Sequence, residues 1–270
     1  MYNFNYVKPG SVDEAAAALA SGNSMAISGG QTLLPTMKAR LTDPDTTTVV
    51  DLTGCVSNAI QIVRDGDLQI GGATRHADVA SNSQVPGWLQ NVAAHIGDPA
   101  VRNRGTIGGS LANNDPAACY PAAVLGTGAE ITTNKRTIAA DDFFQGMFTT
   151  ALDEGEIVTA VTFPTGSSVS QASVQAANYQ KFVQPASRFA LVGVFVAKKS
   201  DGVRVAVTGA SEDGVHRWAA AEQALSANFS PDAVPAAPSA DGMIGDIHGS
   251  PEYRAHLVAV MTKRAVAAAS

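Results

Sequence analysis

Between Arg102 and Ala123 the chain reads RNRGTIGGSLANNDPAACYPAA. Gly105, Gly108 and Gly109 strip side chains from one short segment, while Thr106, Ser110, Asn113, Asn114 and Asp115 surround it with hydroxyl, amide and carboxyl groups. Backbone without Cβ atoms can approach another surface closely, and consecutive N–H groups in such a turn form a concavity for anionic oxygens. An earlier segment, ISGGQTLLP (Ile27–Pro35), repeats the theme. Neither is a GxGxxG or a GxxxxGK[ST], and no lysine stands at the Walker position, so the Rossmann and P-loop readings lack their required residues. Read as loops that each follow an apolar segment, the two together suggest one extended nucleotide-like cofactor held from both ends.

The rest of the chain has α+β character. Ser11 with Glu14 is a capping-box pattern ahead of the Ala-rich VDEAAAALAS, and SMAI and TTTVVDLTG read as short strands. AIQIVRDGDLQIGG alternates Ile60 and Ile62, then Leu68 and Ile70, about Asp65-Gly66, a hairpin signal. AEITTNKRTIAA reads as a second hairpin turning near Asn134-Lys135, and PGWLQNVAAHIG as a helix stopped by Gly97. The strand EIVTAVTFP runs into TGSSVSQAS, which marks an exposed connection, so the chain divides near residue 176. Beyond it come a hairpin tipped by Asp201-Gly202, a helix in VHRWAAAEQALSA and a Pro/Ala loop. A last helix is capped by Ser250, with Tyr253, Leu257, Val260, Met261 and Ala265 on one face.

Composition narrows the function classes. The net charge is −6 and no stripe of Lys or Arg appears, which removes the electrostatic footprint of a nucleic-acid or anionic-membrane surface. No apolar run approaches the ~18 residues of a membrane span, and the start lacks a signal-peptide pattern, so a cytoplasmic protein is expected. Cys55 and Cys119 are the only cysteines, too few to ligate an iron–sulfur cluster or a structural zinc. The five histidines are scattered and read as surface or satisfied polar residues; no nucleophile–base pair and no metal site is legible.

The segments SGGQTLLPTMKARLTDP, IGDPAVRNRGTIGGSLANNDPAACYPAA, YQKFVQPASRFALVGV and SPEYRAHLVAVMTKRA together resemble the FAD-binding medium subunit of the molybdenum hydroxylases, the group of carbon monoxide dehydrogenase and xanthine dehydrogenase. The resemblance covers nearly the whole chain. It implies a two-lobed PCMH-type, vanillyl-alcohol-oxidase-like FAD-binding domain over residues 1–176, with lobes of roughly 1–55 and 56–176. A smaller α+β carboxy-terminal domain over 177–270 follows. It further implies non-covalent FAD held by Ser28, Gly29, Gly30, Gln31, Thr32, Leu33, Leu34 and Pro35 of the first segment. In the second segment the expected contacts are Thr106, Ile107, Gly108, Gly109 and Ser110, with Asn113 and Asp115 as polar support.

By the same resemblance Ile157 lies near the flavin, Tyr179 covers a ring face, and Lys181 stands at the N1/C2 edge. Two positions depart from the family. Cys119 replaces an aspartate found in many relatives, and Phe189 stands where some carry an acidic residue. The implied role is an oxidoreductase subunit passing electrons from 2Fe-2S clusters on a small subunit to an external acceptor. Molybdopterin then belongs to a large subunit, in a dimer of heterotrimers. Two rival roles are a standalone FAD-dependent oxidase of the vanillyl-alcohol oxidase superfamily and a scaffold that has lost FAD.

Overall fold

The computed structural model describes residues 1–166 and 172–269. The first lobe is a parallel sheet of β1 (Asn5–Val7), β2 (Ser24–Ile27) and β3 (Thr48–Asp51), in the order β1-β3-β2. Parallel neighbours need crossovers, and helices α1 (Val12–Leu19) and α2 (Leu33–Lys38) lie in those connections. Ser11 caps α1 through the Glu14 N–H at 3.2 Å, while the Glu14 carboxylate accepts from the Gly10 N–H at 2.8 Å, one residue further out than a capping box. The lobe's core is small: Ala15, Val50 and Val56, joined by Ile157 from far along the chain.

The second lobe contains β4 (Ile60–Ile62) and β5 (Leu68–Gly71), then helices α3 (His76–Ser81), α4 (Gly87–Ala94), α5 (Pro99–Arg102), α6 (Ile107–Asn113) and α7 (Cys119–Thr127). After these come β6 (Glu130–Thr133), β7 (Thr137–Ala139), α8 (Ala140–Phe143), the short pair β8 (Phe144–Gly146) and β9 (Thr149–Thr150), and β10 (Val158–Phe163). Both expected hairpins form, with Ile60 opposite Ile70 and Ile131 opposite Ile138, and β10 closes between them to give the antiparallel order β4-β5-β10-β6-β7.

The segment read as an open loop from Arg102 to Ala123 is instead mostly helical. The first turn of α6 is seated against the end of β5, where the Gly108 N–H donates to Gly72 O at 2.9 Å and the Ile107 N–H to Thr74 O at 3.0 Å. A Cβ on Gly108 would stand 2.6 Å from Gly72 O, so glycine is needed there for packing. All nine residues of α7 are buried, which its small apolar composition, CYPAAVLGT, permits, and Gly128 ends it at φ +68°. Likewise Leu33, Leu34 and Pro35, read as loop, open α2.

The carboxy-terminal part is an antiparallel sheet of β11 (Val174–Val183), β12 (Ala190–Lys199), β13 (Gly202–Thr208) and β14 (His216–Arg217), with α9 (Ala219–Ala227) and α10 (Pro251–Ala268). The expected division at residue 176 falls inside β11, and part of the expected connection, residues 167–171, lies outside the described residues. Strand β12 reads ALVGVFVA because both faces are covered: Val192, Val194 and Val196 join the core with α9 and α10, while Phe195 and Ala197 join the second-lobe core with α7. The helix expected from Val215 starts only at Ala219, since His216 and Arg217 pair with β13 and Arg217 forks onto Glu222 at 2.8 and 2.7 Å. Leu257, Met261 and Ala265 of the expected α10 face are buried and Val260 packs against the same core, but the first turn departs from it. Tyr253 is 41% exposed, and Arg254 is buried, donating to Leu191 O and Gly209 O at 2.7 Å each and to Asp246 at 2.7 Å.

Candidate functional site

A cavity of about 530 Å³ lies where the two lobes meet the end of β11, within the size range of small-molecule and cofactor sites. Its wall includes Ser28 to Leu33, Thr106, Gly108 to Ser110, Asn113, Asp115, Ile157 and Lys181. The two glycine-rich segments, distant in sequence, therefore share one space. Ser28 Oγ and Thr106 Oγ1 are 2.9 Å apart and tie them together. Four of the expected residues are not on the wall. Leu34 and Pro35 lie on α2, Ile107 is fully buried on the first turn of α6, and Tyr179 sits in the second-lobe core at 3% exposure.

The two segments differ in what they can offer a ligand. None of the main-chain N–H groups from Gly29 to Leu33 meets an acceptor among the described residues, and Thr32 makes no side-chain capping bond. On the second segment the N–H groups of Ile107 to Ser110 are occupied. Ile107 and Gly108 bond the end of β5, Gly109 reaches Thr106 Oγ1 at 3.2 Å, and Ser110 bonds Thr106 O at 3.0 Å. Free donors are thus concentrated in the first turn, and the second contributes hydroxyls and closeness of approach. Asn114, also polar and in the same stretch, serves the fold: it caps α6 at φ +42° and donates to Gly146 O and Thr149 O at 2.7 and 2.8 Å.

Charge on the wall is sparse. Lys181 is the sole Lys or Arg lining it among the described residues, and its ammonium donates to His95 O at 2.9 Å and stands 3.4 Å from Cys119 Sγ. Asp115 accepts from the Ala117 N–H at 2.9 Å; burial raises its pKa and that bond offsets the rise only in part. Glu156 is also buried. Burial alone would raise its pKa, but hydrogen bonds from Arg136, the Asp153 N–H and Thr133 outweigh that and hold it at about 2.

The wall also holds His76 and the two positions that depart from the family pattern, Phe189 and Cys119. His76, expected at the surface or satisfied, is 5% exposed, and its Nδ1 has no partner among the described residues. Burial, helped by the Arg102 charge, lowers its pKa to about 4, so the ring is neutral at pH 7. The Arg75–Thr106 bridge puts it beneath the second segment, a tertiary fact with no local signal. Phe189 also lines the cavity, the sole phenyl ring there among the described residues, and is 55% exposed. Cys119, at the first turn of α7, is on the wall and 4% exposed. The remaining histidines do not gather, and among the described residues no group of three His, Cys, Asp or Glu could hold a metal ion. Nor is any described helix long and apolar enough to cross a membrane.

The donor set fits FAD: free N–H groups for a diphosphate, hydroxyl and amide groups for a polyol, and an apolar wall with one ring and one ammonium for a flavin. Comparison with known proteins agrees. Residues 2–166 match the model of the FAD binding domain in molybdopterin dehydrogenase. The nicotine 6-hydroxylase medium subunit of Paenarthrobacter nicotinovorans is 34% identical, over 97% of this chain and 95% of the relative. The carbon monoxide dehydrogenase medium chain of Hydrogenophaga pseudoflava is 31% identical over 98% and 96%. A solved structure of the carbon monoxide dehydrogenase from that organism superposes with a TM-score of 0.87 at 31% identity, covering 99% and 97% of the two chains. Quinoline 2-oxidoreductase from Pseudomonas putida 86 gives a TM-score of 0.83 at 27% identity, covering 98% and 96%. This chain belongs to the family of FAD-binding medium subunits of the molybdenum hydroxylases.

Proposed function

We propose that this chain holds one non-covalent FAD in the cavity between its lobes and relays electrons as the medium subunit of a heterotrimeric molybdenum hydroxylase. The observation that supports this most is that the N–H groups of Gly29 to Leu33 have no acceptor among the described residues, while these residues line the same cavity as Thr106, Lys181 and Phe189. The bound flavin supplies the capacity to take two electrons from a one-electron cluster donor and pass them to an acceptor.

The protein's own residues bind, orient and shield. The first turn takes the diphosphate through main-chain donors, and Ser28, Thr106, Ser110 and Asn113 add side-chain hydrogen-bonding groups around it. Asp115 offers its second oxygen to a ligand hydroxyl. Ile157 supplies apolar wall, and Phe189 takes the ring-covering role that Tyr179, buried away from the cavity, does not fill. Lys181 holds a positive charge toward the flavin edge.

The relatives are named as medium subunits or chains, which favours a subunit over a standalone oxidase. By this reading the 2Fe-2S clusters sit on a small partner and the molybdopterin on a large one, with assembly as a dimer of heterotrimers in the cytoplasm and electrons leaving to an external acceptor. The domain division near residue 176 is part of the same reading. The test is co-expression with a small cluster-bearing and a large molybdopterin-type chain, purification through a tag on this chain, and metal analysis. Molybdenum and iron should co-purify. A metal-free chain that oxidises an organic donor alone would sink the proposal.

A further inference from the structure

Lys181 and Cys119 come from different parts of the fold, one from β11 and one from the first turn of α7, and meet at 3.4 Å on the cavity wall. The lysine is half-buried, its carbonyl partner is His95 O at 2.9 Å, and no carboxylate pairs with it among the described residues. The two carboxylates on the wall are engaged elsewhere: Glu156 with Arg136, and Asp115 with the Ala117 N–H. A sulfur is a weak acceptor and gives the ammonium none of the formal neutralisation a carboxylate would.

We infer that Cys119 tunes the redox potential of the bound FAD by leaving the Lys181 charge uncompensated. The inference deepens the functional reading above and rests on it. Two-electron reduction with uptake of one proton leaves one negative charge on the flavin; the electrons come from the cluster donor and leave to the external acceptor. A net positive charge beside the ring favours that reduced form. Cys119 acts through Lys181 and is a positioning residue rather than a catalytic one. The identity of the side chain at position 119 therefore sets how strongly the flavin pulls electrons.

A unit charge about 12 Å from the ring, at an effective dielectric near 20, changes the reduction equilibrium about tenfold. For a two-electron couple that is about 30 mV. The experiment is a spectroelectrochemical titration of the full chain loaded with FAD, as wild type, Cys119→Asp, Cys119→Asn, Cys119→Ser and Lys181→Met, with flavin content measured for each. Cys119→Asp should shift the equilibrium about tenfold toward oxidised flavin. Cys119→Asn and Cys119→Ser should match wild type, because they change shape without adding charge.

Lys181→Met should fall in the same direction as Cys119→Asp. Equal potentials for the Asp and Asn variants would overturn the inference, and so would a rise in both neutral variants, which would make the sulfur itself the anion. Should Cys119→Asp fail to fold, Lys181→Met decides alone: a lower potential supports the inference and an unchanged one refutes it. A wild-type chain that binds no FAD defeats the functional reading. Bound FAD with an invariant potential defeats only this inference.

Discussion

A Cβ on Gly29 would stand 2.3 Å from the carbonyl oxygen of Arg104 and 2.5 Å from the Cα of Gly105. The two glycine-rich segments thus meet main chain against main chain, and the cavity depends on that closeness. Gly29→Ala should force them apart at a cost of about 1–3 kcal/mol and weaken FAD binding at least tenfold. Gly87, helical and with nothing within 4 Å, is the control. Gly87→Ala should leave FAD binding alone and stabilise by about 0.5 kcal/mol. Denaturant midpoints and flavin fluorescence titrations check both.

Tyr179 Oη is buried with no geometric hydrogen bond among the described residues, its polar neighbour being the weakly bonding Cys119 thiol, and burial first, then that neighbour, push the phenol's pKa well above its ordinary value. Removing an unsatisfied hydroxyl is neutral or stabilising. Tyr179→Phe should therefore unfold at or above the wild-type temperature and keep its FAD. Phe189→Ala should raise the FAD dissociation constant severalfold, since that ring is on the wall.

Asn114 supplies both a left-handed residue and two buried hydrogen bonds. Asn114→Ala loses both and should cost about 3 kcal/mol. Asn114→Gly keeps the backbone conformation and should cost less. Thermal melts of the pair separate the two contributions.

Glu156 and Asp115 have opposite linkage signs. The folded-state pKa of Glu156 is depressed to about 2 from 4.5, so the stability it contributes is present above about 4.5 and lost as pH falls toward 2. Glu156→Gln should lower stability at pH 7 and flatten its decline across that window. Asp115 is raised, so its ionised form disfavours folding above the ordinary carboxylate range. Asp115→Asn should stabilise the FAD-free chain at pH 7 while weakening FAD binding. Urea denaturation from pH 7 to 2.5 measures both.

The local elements were legible where one rule decided them. Asp65-Gly66 turned a hairpin, and Ser11 and Ser250 capped helices, because turn and cap chemistry act within a few residues. Helix α6 was not legible, since Gly108 and Gly109 argue against helix until the end of β5 is known to lie against them, and α7 was hidden by Pro121, which is tolerated only because it falls in that helix's first turn. The site showed the same division. Ser28 to Leu33 and Thr106 to Ser110 were marked by their glycines and hydroxyls, whereas His76 and Phe189 reach the cavity only through tertiary contacts that leave no local trace. Arg254 illustrates the limit of apolar patterning: a charged residue on a buried helix face, explained only by the two carbonyls and the aspartate it meets.

The central claim is that the cavity holds one FAD without a covalent bond. The direct measurement is titration of the purified full chain with FAD, followed by acid precipitation and flavin assay of pellet and supernatant. One FAD per chain, recovered wholly in the supernatant, is the expected result. A chain that takes up no FAD, or flavin that stays with the denatured protein, would contradict it.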